Sequence, residues 1–235
     1  MGRIFEKRKD RMFARWSKTA KAFTKVGKEI AIAVKLGGPH PEGNPRLRMG
    51  IQTARSLNMP KDRIEAAIKR ASGKEQADLQ EITYAGYAPH GVALLIAAAT
   101  DNPTRTAANI RAYFSHNGGS LAAAGSLDFM FKRRASFRIK VAPEKMDELE
   151  LSLIDHGLEE AERDQGEMLL DAAFESFGQL QKALEERGIE VLSAGSPWVP
   201  SSNTELTEAQ EKEVRELIEL IEEDDDVQHV FDAIA

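Results

Sequence analysis

Between residues 17 and 36 the apolar positions recur at helical spacing. Phe23, Val26, Ile30, Ala33 and Val34 fall within about 100° of one another on a helical wheel. Lys18, Lys21, Lys25, Lys28 and Lys35 fill a similar arc on the opposite side. One side therefore has a core to join, and the other carries a row of ammonium groups. Gly37-Gly38-Pro39 predicts the stop. Asn44-Pro45 predicts a second helix, with Asn as cap, Pro in the first turn and Leu47, Ile51 and Ala54 as its apolar stripe. Asn58-Met59-Pro60 predicts a start of the same kind for a third helix, which carries Ile64, Ala67, Ile68 and Ala71 and ends at Gly73. Short helices joined by short connections predict a small bundle.

Residues 74–80 read as a polar linker, and beyond them the period falls to two. Ile82 and Tyr84 alternate, Tyr87–Gly91 makes a turn, and Val92–Ala99 reads as a strand buried on both faces. Asp101-Asn102-Pro103-Thr104 predicts a helix start, with Ala107, Ile110 and Phe114 inward and Asn117-Gly118-Gly119 at its end. Leu127, Phe129 and Phe131 alternate as a strand. Over 133–195 the order is β-α-β-β-α-β, the ferredoxin-like plan. Its helices are marked by Met146, Leu149 and Leu153 and by Phe177, Leu180 and Leu184, and its central turn by Gln165-Gly166. Thr207–Gln210 is a capping box that opens a helix with Val214, Leu217, Ile218 and Ile221 on one face. A last strand is expected over Val227–Ile234. That helix and strand have no sheet of their own, so they are expected to return to the sheet begun at 80–131.

The expected fold class is α+β: an N-terminal helical bundle domain followed by two ferredoxin-like α/β domains, the third inserted in the second. The expected boundaries are 1–75, then 80–132 together with 197–235, and 133–196 for the insertion.

Charge sharpens this picture. The 235 residues carry 32 Lys+Arg and 38 Asp+Glu, a net charge of −6. The first 75 hold 19 basic and 7 acidic residues, and the remainder 13 and 31. A basic end on an acidic protein points to a polyanion partner. Lys7, Arg8, Lys9, Arg11, Arg15, Lys18, Lys21, Lys25, Lys28, Arg46, Arg48, Arg55, Lys61, Arg63, Lys69 and Arg70 are the candidate phosphate contacts. Phe13, Trp16 and Phe23 could stack on bases but read better as core, so recognition by shape and phosphate is expected, with structured RNA slightly favoured over a duplex operator.

A second candidate is an anion site at the helix start after Val92–Ala99, formed by Asn102, Thr104, Arg105 and Arg111; plain capping is the simpler reading. The acidic run Glu222–Asp226 reads as solvated charge, with a weaker alternative in which acids hold the basic domain closed until nucleic acid arrives. With no cysteine, disulfides, thiolate metal sites and cysteine nucleophiles are excluded. The five histidines are scattered, and neither a P-loop nor a G-x-S-x-G motif is present. No catalytic residue, metal site or cofactor is therefore assigned. Two rival readings stand beside the binding protein: a Mg²⁺-dependent nuclease using Asp101, Asp128 and Asp224, and an effector-binding sensor or interaction module. No apolar run reaches the length of a membrane helix and MGRIFEKRKDRM has no apolar signal core, so a cytoplasmic monomer is expected.

Several blocks are familiar as a set: FTKVGKEIAIAVKLGG (23–38), NPRLRMGIQTARSLNMPKDRIEAAIKRASG (44–73), EITYAGYAPHGVALLIAAATDN (81–102), RTAANIRAYFSHNGGSLAAAGSLDFMF (105–131), FESFGQLQKALEERGIE (174–190) and LIEEDDDVQHVF (220–231). On these blocks the chain resembles the YebC family of bacterial regulators, which includes a mitochondrial translational activator of cytochrome oxidase. It departs from the family's usual His-Ser-Lys-Trp opening, having MGRIFEKRKDRMFARW instead, and Ala88 stands where the family turn usually has glycine. The resemblance implies three domains and a regulator of gene expression. DNA, structured RNA and the ribosome are the partners it implies, through transcription regulation or ribosome-associated translation regulation.

Overall fold

The computed structural model describes residues 3–73, 79–164 and 166–235, with the backbone alone for residues 3–18 and 164. Most of the expected linker, and Gln165 of the expected turn, lie outside the described residues. The chain opens with α1 (Arg3–Gly37), α2 (Pro45–Ser56) and α3 (Lys61–Ala71). At 35 residues, α1 is about 52 Å long and starts well before the apolar stripe that predicts it. Val26, Ile30, Ala33 and Val34 pack with Leu47, Ala54 and Ile64 in one buried cluster. Gly50 lets α2 approach closely, since a Cβ there would sit 3.2 Å from Ile30 Cγ1.

Asn44 joins α1 to α2. Its Oδ1 accepts from the Leu47 amide (3.0 Å), and its Nδ2 donates to the carbonyls of Ala33 (2.7 Å) and Gly38 (2.9 Å). One buried amide thus satisfies backbone groups left over at the end of one helix and the start of the next. Asn58 does not repeat this. Met59 separates it from Pro60, which itself occupies the cap position of α3 without a side-chain bond. Asn58 instead takes φ +58°, a left-handed turn conformation that Asn tolerates.

Thereafter come β1 (Gln80–Tyr87), β2 (Ala93–Thr100), α4 (Pro103–His116), β3 (Ser120–Leu121), β4 (Phe131–Lys140), α5 (Met146–Ile154), β5 (Leu158–Asp164) and β6 (Glu167–Ala173). These are followed by α6 (Phe177–Glu186), β7 (Glu190–Gly195), β8 (Trp198–Pro200), α7 (Glu208–Glu222) and β9 (Val227–Asp232). The helices and two sheets make an α+β architecture. One sheet runs β3-β1-β2-β9, with β2 almost wholly buried as its continuous apolar run predicts. The other runs β5-β6-β4-β7 through antiparallel pairs, with β8 also on β4. Phe137 and Ile139 of β4 anchor its core with Leu149, Leu153, Met168, Leu180 and Leu184.

The strand expected across Leu127–Phe131 is corrected. A 3-10 turn occupies Asp128–Met130, and successive turns bonded Ser126 to Ala123, Asp128 to Gly125 and Met130 to Leu127 fold the backbone back on itself. Leu127 and Phe131 are buried while Phe129 is 79% exposed. The capping box forms as expected: Thr207 N–H and Oγ1 donate to Gln210 Oε1, and the Gln210 amide donates to Thr207 Oγ1.

By compactness the chain divides into two units. One gathers Met1–Tyr84, Ile96–Tyr113 and Glu216–Val230, and the other Ala85–Leu95, Phe114–Arg215 and Phe231–Ala235.

Candidate nucleic-acid interface

The first unit contains most of the basic candidates. Lys7, Arg8, Lys9, Arg11, Arg15 and Lys18 lie on the part of α1 whose side chains are outside the described residues. The next three lysines of the predicted row turn inward. Lys21 Nζ donates to the carbonyl of Glu223 (3.3 Å) and Lys25 Nζ to that of Glu222 (3.0 Å). Lys28 Nζ donates to the carbonyls of Ala99 (3.1 Å) and Asp225 (2.8 Å) and to Asp226 Oδ1 (2.7 Å), which uses all three of its hydrogens. Both long faces of α1 are therefore engaged, the apolar one by α2 and α3 and the cationic one by the end of α7 and the turn before β9. Ile32, on the lysine side of the helix, is buried as well.

The physics is that of helix capping. The last carbonyls of α7 have no partner within their helix, and the helix dipole makes that end negative. Three ammonium groups supply both the donors and the countercharge. Burial lowers the pKa of Lys25, an effect that Lys21 reinforces and the carboxylates of Glu222, Asp225 and Asp224 oppose.

Asp226 is the centre of this arrangement. Its Oδ2 accepts from Arg105 (2.7 Å), Thr106 Oγ1 (2.8 Å) and Thr100 Oγ1 (3.2 Å), opposite Lys28 on Oδ1. Burial alone would raise its pKa, but the hydrogen bonds from Lys28, Arg105 and Thr106 and the Lys28 charge hold it down at about 2. Asp224 accepts from Asn109 Nδ2 and Tyr113 Oη, each at 3.1 Å. The reading of Glu222–Asp226 as solvated charge is thus corrected for Asp226, which is buried, while Glu222, Glu223 and Asp225 are exposed. Consecutive acids do diverge, and for that reason one of them points inward.

The anion stretch is also redirected. Asn102 Oδ1 caps α4 by accepting from the Arg105 amide (3.1 Å). Arg105 pairs with Asp101 (2.9 Å) as well as Asp226, so the anion it holds is the protein's own carboxylate. Thr104 and Arg111 are exposed on α4. Of the acids offered for a nuclease, Asp101 is paired with Arg105, Asp224 with Asn109 and Tyr113, and Asp128 lies in the other unit. Among the described residues, no three His, Asp or Glu side chains converge to hold a metal ion.

On α2 and α3 the basic residues divide. Arg46 forms a two-bonded pair with Glu81, which leaves the neighbouring Glu29 carboxyl pushed up by burial. Arg48 donates to the carbonyls of Pro41 and Glu42, both at 3.0 Å. Lys61 makes only an exposed pair with Glu65 (3.6 Å). Arg55, Arg63, Lys69 and Arg70 are exposed and have no ion pair among the described residues. Arg63 and Arg70, seven apart, share one flank of α3.

Two basic-aromatic features escape a reading centred on the first 75 residues. The FMFKRR run (129–134) interleaves rings and cations, a signal visible in the sequence. The partner rings, Phe174 and Trp198, are distant in sequence and join it only through the pairing of β4 with β8 and the close of β6.

Comparison with known proteins covers nearly the whole chain. A family model described as the TACO1/YebC protein N-terminal domain matches residues 3–74, and one described as the TACO1/YebC second and third domain matches residues 79–234. Among curated relatives named probable transcriptional regulatory protein, one from Anaeromyxobacter dehalogenans strain 2CP-1 is 56% identical over 242 residues, covering 100% of both chains. One from Flavobacterium johnsoniae is 53% identical over 231 residues, covering 98% of both, and one from Myxococcus xanthus 50% identical over 240, covering 100% of both. The crystal structure of a conserved hypothetical protein from Aquifex aeolicus superposes with a TM-score of 0.80 at 35% identity, over 92% of this chain and 90% of that one.

Proposed function

The chain belongs to the TACO1/YebC family, and on that premise we propose that it is a non-enzymatic, nucleic-acid-binding regulator of gene expression. The observation that carries the reading is the cationic surface left over once the fold has used its share. Arg55, Lys61, Arg63, Lys69 and Arg70 remain exposed on α2 and α3. The basic N-terminal stretch of α1, from Lys7 to Lys18, adds to it in sequence. Lys28 leaves the list of phosphate contacts, because its three hydrogens go to the protein's own oxygens, while Lys21 and Lys25 each commit one hydrogen to a backbone carbonyl. The relatives' names support a regulator.

In this reading the protein is a cytoplasmic monomer of three domains, the last two ferredoxin-like. Its grip on DNA, structured RNA or the ribosome is dominated by phosphate. Such binding weakens steeply with salt, because each neutralised phosphate releases counterions.

Fluorescence anisotropy with labelled duplex DNA and structured RNA tests it. Changing Arg55, Arg63, Lys69 and Arg70 together to Glu lowers affinity at least tenfold across all sequences and flattens the salt dependence, with the circular dichroism spectrum unchanged. Full affinity in that variant refutes the interface. Mg²⁺-dependent cleavage of either probe refutes the non-enzymatic reading.

A further inference from the structure

The second unit carries 11 basic and 21 acidic residues, yet Lys132, Arg133, Arg134, Arg138 and Lys140 all lie on β4. Arg134 and Arg138 are paired with Glu159 and Glu167. Lys132 is exposed. The Arg133 guanidinium lies 4.1 Å from the centroid of the Phe174 ring and 6.0 Å from that of Trp198, its register partner on β8. It also donates to Ser196 Oγ (3.0 Å), which fixes its plane. Phe174 is 37% exposed. On the turn that leads into β4 stands Phe129, the most exposed large apolar side chain among the described residues.

An exposed ring and a guanidinium held over a second ring form a recognisable chemical set. Rings and guanidinium planes stack on the faces of unpaired bases. A duplex keeps its base faces covered and offers only phosphates and groove edges. The positive strand in an otherwise acidic unit favours a polyanion over an acidic protein partner.

We propose that Phe129, Arg133, Phe174 and Trp198 form a contact site for unpaired bases of single-stranded nucleic acid. The proposal rests on the nucleic-acid reading above and adds to it a second surface, with a substrate class of its own.

Trp198 provides the readout. The chain has two tryptophans, so Trp16→Phe leaves Trp198 as the single reporter. That protein is titrated with twelve-residue oligouridine, oligothymidine, an abasic strand of equal charge, and a duplex of equal length. The base-bearing single strands quench Trp198 and bind at least fivefold more tightly than the abasic strand, and the RNA and DNA arms identify the preferred sugar. Phe129→Ala and Phe174→Ala each weaken oligonucleotide binding by about 5- to 150-fold, the range for losing one stacked base. Binding of the abasic strand is unchanged, and Phe129→Tyr, which keeps a ring, retains affinity. Equal affinity for the base-bearing and abasic strands overturns the proposal. So does no single-strand binding, or unchanged binding by a folded Phe129→Ala protein. The charge-reversed α2–α3 variant is scored separately, on duplex DNA and structured RNA, so failure of that interface and failure of this site are told apart.

Discussion

Replacing Asp226 by Asn keeps the shape of the side chain and removes its charge. Lys28 then keeps two carbonyl acceptors but loses its counterion, and Arg105 keeps only the exposed Asp101. The Lys28 side chain is 19% exposed and that of Asp226 7%, so little water can replace the lost charge. Breaking such a pair on one side costs about 2–4 kcal/mol. Lys28→Met costs less, because Asp226 retains Arg105, Thr106 and Thr100. A double-mutant cycle gives a coupling of about 1–2 kcal/mol. The pH dependence has a definite sign. The carboxyl pKa is lowered on folding from 3.8 to about 2, so its contribution is complete above 3.8 and is lost as pH falls through about 2. That contribution is on the order of 1–2 kcal/mol, and the gap between wild type and Asp226→Asn narrows by this amount between pH 5 and pH 2. Urea unfolding and hydrogen exchange of the α1 amides measure both effects. A loss under about 0.5 kcal/mol at pH 7, or a gap that does not change with pH, refutes the view that this cluster fastens α1.

Two other substitutions test the packing. Asn44→Ala costs about 2–3 kcal/mol in urea unfolding, more than an ordinary cap, because the carbonyls of Ala33 and Gly38 lose a donor along with the Leu47 amide's acceptor; a loss below 1 kcal/mol counts against its bridging role. Gly86→Ala places a Cβ 2.5 Å from Phe114 Cζ and 2.7 Å from the Ser120 carbonyl, and costs about 2–3 kcal/mol in thermal unfolding, with wild-type stability refuting the close approach.

Local signals in the chain were read well wherever their partners were also local. Asn44-Pro45, the Thr207–Gln210 box and the apolar run of β2 each declare an element within a few residues. Asn58 shows how narrow such a signal is: one intervening residue turns a cap into a left-handed turn. The lysine row of α1 was legible as a face but not for what it meets. Periodicity says which residues point the same way, while the carbonyls that receive Lys21, Lys25 and Lys28 lie about 200 positions away. The acidic run misled for the same reason, since solvation is the default for charge unless a distant donor is known. Alternation over three apolar residues, Leu127, Phe129 and Phe131, cannot distinguish a strand from consecutive turns. The net acidity of the later chain masks the local reversal of sign in the FMFKRR run.

The distance between those lysines and their carbonyls has a consequence for biosynthesis. A ribosome adding about 5–20 residues per second finishes α1 some 10–40 seconds before Asp226 emerges. Throughout that interval the nascent helix carries three ammonium groups for which, of all the oxygens that later receive them, only the Ala99 carbonyl can have been made. The first unit can close only when its third segment is delivered, so its completion waits on nearly the whole message being read.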